Sequence, residues 1–233
     1  MTSLGLTPLE VEALGLSLRV SFWAVLVSLP IGILTAWLLA RREFWGKTIV
    51  NGIVHLPLIL PPVVVGYLLL VLLGRKGVLG AWLYDWFGVT VAFTWKGAAI
   101  AAAVMAFPLM VRAIRLSIEG VDRRLEEAAR TLGAGSWRIF LTVTLPLILP
   151  GVLTGTILAF ARSIGEFGAT ITFVSNIPGE TRTLPLALFS QTQVPGGDWP
   201  ALRLVIISVV LAMAAVVLSE VIARRMARHN EDR

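Results

Sequence analysis

Val20–Ala40, 21 residues, and Thr48–Leu73, 26 residues, carry no charged side chain and are long enough to cross a lipid bilayer. A helix of about 20 apolar residues spans the roughly 30 Å hydrocarbon core. Runs of this length predict an all-α polytopic membrane bundle. Three more spans are expected at about Val91–Val111, Leu145–Thr170 and Leu204–Ala223, making about five in all. Pro57, Pro61 and Pro62 predict a kink or break in the second span, which neighbouring helices must repair. Lys96, near the start of the third, can snorkel outward. Composition agrees, with 57% hydrophobic and only 15% charged residues. One transmembrane domain is expected over residues 12–224, followed by a basic cytoplasmic tail at 225–233.

The basic residues predict an orientation. One set of loops holds thirteen: Arg41, Arg42, Lys47, Arg112, Arg115, Arg123, Arg124, Arg130, Arg138, Arg224, Arg225, Arg228 and Arg233. The other holds six: Arg19, Arg75, Lys76, Lys96, Arg182 and Arg203. The richer side faces the cytoplasm by the positive-inside rule. The N-terminus is then periplasmic, the C-terminus cytoplasmic, and the loop around Glu127 cytoplasmic. Trp82, Tyr84, Trp86, Phe87 and Trp95 read as an aromatic belt on the outer side. A net charge of +6 distributed in this way indicates membrane orientation rather than nucleic-acid binding. The first ten residues lack lysine and arginine, so no positive n-region of a cleaved signal peptide is expected.

Residues 122–146 are too regular in pattern for a simple connector. Asp122 is a plausible N-cap, with Glu126 and Glu127 in the early turns where the helix dipole favours anions. Val121, Leu125, Ala128 and Leu132 recur at helical spacing, giving a narrow apolar stripe. Gly133 is the expected stop, because positive φ costs glycine little. Gly135 loosens the turn, and Ser136 is expected to cap the next helix. Two readings fit the pattern: an interfacial helix lying on headgroups, or a protruding helix–turn that docks on a soluble partner.

Glu127-Ala128-Ala129, Gly133 and Leu145-Pro146 resemble the EAA loop of importer-type ABC permeases. That pattern is Glu-Ala-Ala, three residues, Gly, nine residues, Ile, any residue, Leu-Pro, and Val143 stands at the isoleucine position. The resemblance implies a type I ABC importer permease whose loop is a cytoplasmic coupling helix. In that family it fits a groove on an ATP-hydrolysing subunit and transmits closure to the membrane helices.

Arg162 and Glu166 are the ionised pair in an apolar run. Four residues apart, they share a helix face and can pair. Charges in a span are functional hypotheses by default. Counted from Leu145, however, Arg162 lies about 26 Å along, near the outer boundary of the core. A structural pair at the interface and a gate at the outer mouth of an anion path both remain open. Gly151 and Gly155 form a small-xxx-small face, read chiefly as helix packing.

Ala161–Thr170 resembles the oxyanion branch of the permease family, which includes sulfate and molybdate permeases. Phe173–Pro185, His55–Tyr67 and Tyr84–Gly88 look specifically like the molybdate permeases of Gram-negative bacteria. The resemblance implies an inner-membrane subunit of an ATP-driven molybdate importer, with a sulfate or tungstate permease as the alternative. It also implies a homodimer of this chain, two cytoplasmic ATPase subunits and a periplasmic molybdate-binding protein.

Nothing in the residues suggests catalysis. The two histidines, His55 and His229, stand apart, and the absence of cysteine removes thiol chemistry and cysteine metal sites. Gly46-Lys47-Thr48 fails as a phosphate-binding loop because Arg41 occupies the required glycine position. No metal or cofactor is expected, and the energy for transport must come from a partner. An intramembrane enzyme lacks a nucleophile–base pair. An ion-coupled secondary transporter would need mid-membrane carboxylates and paired repeats, which five spans do not supply.

Overall fold

The computed structural model describes residues 6–231, with side chains to residue 217. Among these all regular structure is helical: α1 (Pro8–Arg41), α2 (Lys47–Ile59), α3 (Pro62–Leu73), α4 (Val78–Phe87), α5 (Trp95–Glu119), α6 (Arg123–Thr131), α7 (Ser136–Ile139), α8 (Leu145–Ile164), α9 (Gly168–Val174), α10 (Leu184–Thr192) and α11 (Asp198–Glu231). The expected tail at 225–233 and the end of the expected fifth span lie beyond residue 217, outside the residues with described side chains.

Four helical stretches are long and apolar enough to cross a membrane: Pro8–Arg41, Trp95–Glu119, Ser136–Ile164 and Asp198–Val217. The expected second span is two helices, α2 and α3, bent by 115°. The proline reading anticipated this break. Leu60 and Pro61 are extended, with ψ of 142° and 133°. An X-Pro residue disfavours the helical region, and Pro62 cannot donate a backbone hydrogen bond.

Two apolar clusters stack along the bundle. One joins Val20 and Ala24 of α1, Val65 of α3, Ala98 and Ala102 of α5, and Phe173 of α9. The other joins Ala36 and Leu39 of α1, Met110 and Ile114 of α5, and Ile148 of α8. Thus α1 and α5 run parallel, and α8 returns antiparallel to them. Small residues of α8 allow its close approach to α5. A Cβ on Gly151 would stand 2.1 Å from Ser117 Cβ, and one on Gly155 3.0 Å from the Met110 carbonyl oxygen. The small-xxx-small face therefore packs α8 on α5 within the chain.

The fourth span departs from expectation at both ends. It begins at Ser136, continuous with α7, and stops at Ile164 rather than near Thr170. Between α7 and α8, Phe140–Thr144 is wound as a π-helix, with the Leu145 N–H reaching back to the Phe140 carbonyl. Gly165 ends α8, and a separate short helix, α9, starts at Gly168.

At the start of α1, Thr7 and Glu10 form a reciprocal capping box. Glu10, buried, also pairs with Arg203 of α11 at 2.9 Å, which ties the first and last long helices together.

Candidate functional site

The helix–turn around Glu127 forms as its residues dictate. The Asp122 side chain accepts from the Arg124 N–H at 2.9 Å, an N-cap contribution of about 1 kcal/mol. At the other end Gly133 has φ +82°. Its N–H bonds the Arg130 carbonyl at 2.9 Å, and the Ala134 N–H bonds the Ala129 carbonyl at 3.1 Å. These two bonds are the Schellman pattern that closes a helix on a left-handed residue. Ser136 differs from the expectation. It is the first residue of α7, Gly135 is the N-cap, and no side chain caps the helix.

One face of α6 is fixed to the bundle through Glu126. Its Oε1 accepts from Arg41 Nη2 at 3.1 Å and from the Thr144 hydroxyl at 2.9 Å. The same Arg41 nitrogen donates to the Val121 carbonyl at 3.2 Å. Arg41 is the last residue of α1 and Thr144 the last of the π segment, so one carboxylate joins three elements. The pair is largely desolvated, with side-chain exposures of 8% for Arg41 and 12% for Glu126. Removing one partner of such a pair costs about 3–5 kcal/mol, because the other charge stays buried.

The opposite face of α6 is free. Leu125 and Leu132 of the expected apolar stripe are 49% and 87% exposed, and Val121 alone is buried. Glu127 and Ala128 are exposed, Ala129 is half-buried, and Gly133 lies open at the turn. Leu145 is half-buried and Pro146 exposed, both in the first turn of α8. The motif residues thus divide, with Glu127, Ala128 and Gly133 on a surface and Leu145 and Pro146 marking where the loop re-enters the span. Glu127 lines a cleft of ≈ 490 Å³ with Arg41, Arg42, Arg123 and Arg130. Glu126 also lines this cleft. The sequence reading placed Glu126 in the first turn but missed its anchoring role. Its partners are 85 and 18 residues away, and no local spacing signals them.

Arg162 and Glu166 meet at 2.7 Å, though not on one helix. Glu166 lies in the break after Gly165, and its second oxygen accepts from the Ala169 N–H at 2.8 Å. It is a cap for α9 as well as an ion-pair partner. Its side chain is 2% exposed and that of Arg162 28%. Beside this break Gly168 abuts Pro62, with a Cβ there falling 2.7 Å from Pro62 Cβ. A Cβ on Gly66 would lie 2.5 Å from the Ala169 carbonyl oxygen. The two helix breaks, at Pro61–Pro62 and at Gly165–Phe167, therefore pack against one another.

Residues 28–228 match the model of the family described as the inner membrane component of binding-protein-dependent transport systems. The chain belongs to this family. An inner-membrane component of such a system is a multi-pass transporter subunit, not an enzyme, which accords with the apolar helices here. Among curated proteins, the chain is 65% identical over 219 residues to the molybdenum transport system permease protein ModB of Escherichia coli K12, covering 94% of this chain and 96% of that one. It is 57% identical over 218 residues to the ModB of Haemophilus influenzae, covering 94% and 95%. Identity to the sulfate transport system permease protein CysT of E. coli is 37% over 211 residues, covering 91% and 75%.

The fold of this inner-membrane component is shared with solved importers. A bacterial ABC transporter that imports the acidic polysaccharide alginate superposes with a TM-score of 0.74 at 20% identity, covering 96% of this chain and 82% of that one. The all-α permease architecture expected from the sequence is thus present.

Proposed function

We propose that this chain is the membrane-spanning subunit of an ATP-driven molybdate importer. The observation that carries the reading is the 65% identity to the E. coli molybdenum permease, against 37% to the sulfate permease of the same organism. The chain forms a homodimer in the inner membrane, with N-termini periplasmic and C-termini cytoplasmic. Two ATPase subunits dock from the cytoplasm, and a periplasmic binding protein delivers molybdate.

The free face of α6, with Glu127, Ala128, Ala129 and Gly133, is the ATPase contact. Its apolar stripe and flanking charges suit a groove on a soluble protein better than a headgroup layer, because Leu132 and Gly133 stand at a protruding turn. Closure of the ATPases displaces α6. Glu126 passes that displacement to α1 through Arg41 and to α8 through Thr144. The helix from Ser136 to Ile164 is about 43 Å long at 1.5 Å per residue. It carries motion across the membrane to Arg162, Glu166 and the packed breaks of α3 and α9. There the ion pair acts as a gate latch and not as an anion site, since Glu166 cancels the attraction of Arg162. Leu145 and Pro146 begin this lever. The chain alternates access between the two sides while a partner hydrolyses ATP.

Molybdate and sulfate are both tetrahedral dianions, so selectivity resides mainly in the binding protein. Deleting the gene for this chain should abolish molybdenum-enzyme activity, and excess external molybdate should restore it through other anion routes. A deletion strain that instead needs reduced sulfur, with normal molybdenum-enzyme activity, would establish the sulfate reading. Tungstate, of nearly the same shape, should compete for uptake.

A further inference from the structure

Between α1 and α5, at the end of the bundle where α1 begins, lies an apolar groove of ≈ 430 Å³. Its floor is made by small residues, Ala24, Ala99 and Ala103, and Trp23 and Trp95 form its walls. Along α5 it runs from Trp95 to Ala103, about 12 Å at 1.5 Å per residue, close to half the thickness of a hydrocarbon core. That is the depth of one leaflet.

Two cations stand at the mouth. Lys96 lines it and is exposed. The Arg19 guanidinium lies 3.8 Å from the centre of the Trp95 ring. One carboxylate is close by: Glu180 Oε1 accepts from the Trp95 N–H at 3.1 Å and is held at the start of α5. The mouth thus carries two positive charges and one negative, a net charge of +1, above an apolar slot flanked by indoles. Tryptophan rings favour the headgroup level, and long cationic side chains reach from apolar walls to phosphate.

We infer that this groove binds an anionic phospholipid, one acyl chain lying on the alanine floor and the headgroup phosphate meeting Lys96 and Arg19. A zwitterionic lipid fills the slot equally well but gains less, since its own ammonium offsets the phosphate. The inference does not depend on which anion the transporter carries.

Native mass spectrometry of the purified transporter, titrated with phosphatidylglycerol and with phosphatidylcholine of matched chains, reads the site directly. The wild-type protein should prefer phosphatidylglycerol, and Lys96→Gln or Arg19→Gln should each cut that preference by about fivefold, the usual effect of one basic residue beside an anionic lipid. Both residues are exposed, so the variants are expected to fold. Ala103→Leu should weaken both lipids alike by filling the floor. Equal binding of the two lipids by wild type, or unchanged preference in both cation variants, overturns the assignment. So does an Ala103→Cys disulfide between two copies, which would place a second copy in the groove.

Discussion

Glu126 is the residue on which the coupling geometry turns. Its carboxylate meets Arg41 and Thr144 at 3.1 and 2.9 Å. Arg41→Ala should leave Glu126 buried without its counter-charge and loosen α6, at about 3–5 kcal/mol. Thr144→Val removes one hydrogen bond to a charged group and should cost less, about 1.5–3 kcal/mol. The expected outcome is ATP hydrolysis without matching uptake, graded in that order. Hydrogen exchange over residues 123–131 checks it, and unchanged protection in Arg41→Ala would refute the anchor. At the other end of α8, the double role of Glu166 changes what a charge swap can show. An arginine at 166 cannot accept from the Ala169 N–H, so Arg162→Glu with Glu166→Arg should stay impaired even where the pair is purely structural. Glu166→Gln keeps an acceptor for that N–H and removes only the ionic partner. It should insert and fold while leaking or losing uptake; wild-type transport by this variant would dismiss the latch.

At the scale of elements, two kinds of glycine separate cleanly. Gly133 holds φ +82° with open space around it, so Gly133→Ala strains only the backbone, by about 1–2 kcal/mol. Gly66 has φ in the ordinary range but no room, its Cβ position lying 2.5 Å from the Ala169 carbonyl oxygen. Gly66→Ala should push α3 from α9 and lower the melting temperature of the purified protein well beyond the effect of Gly133→Ala. Equal shifts in the two variants would contradict this account of the α3–α9 joint. The same contrast marks what the sequence made legible. The cap at Asp122, the stop at Gly133 and the break at Pro61–Pro62 are local effects, and local residue types announce them. The end of α8 at Ile164 was not legible, because Gly165, which caps it, is a residue that membrane helices also tolerate in their interior, and capping by Glu166 is a choice made by tertiary packing against Pro62 and Gly66. The Ser136 cap failed for a related reason. Gly135 already takes the extended geometry of an N-cap, with φ −69° and ψ 157°, so the serine falls one position late. The Glu126 anchor needed partners on two other elements and had no sequence signature at all.

For the whole molecule, the parallel course of α1 and α5 and the return of α8 give alternating crossings, and the charge count predicts their direction. Single cysteines introduced at positions 76 and 134, neither of them buried, have no native thiol to compete with them. In intact cells an impermeant reagent should label position 76 and spare 134, and the reverse pattern would invert the orientation. The central claim concerns what crosses. Proteoliposomes holding this chain with its ATPase, supplied with the molybdate-binding protein, should accumulate labelled molybdate only with ATP, and excess sulfate should leave that uptake largely intact. Failure of labelled molybdate to accumulate with ATP and the molybdate-binding protein, or loss of that uptake when excess sulfate is added, would contradict the account.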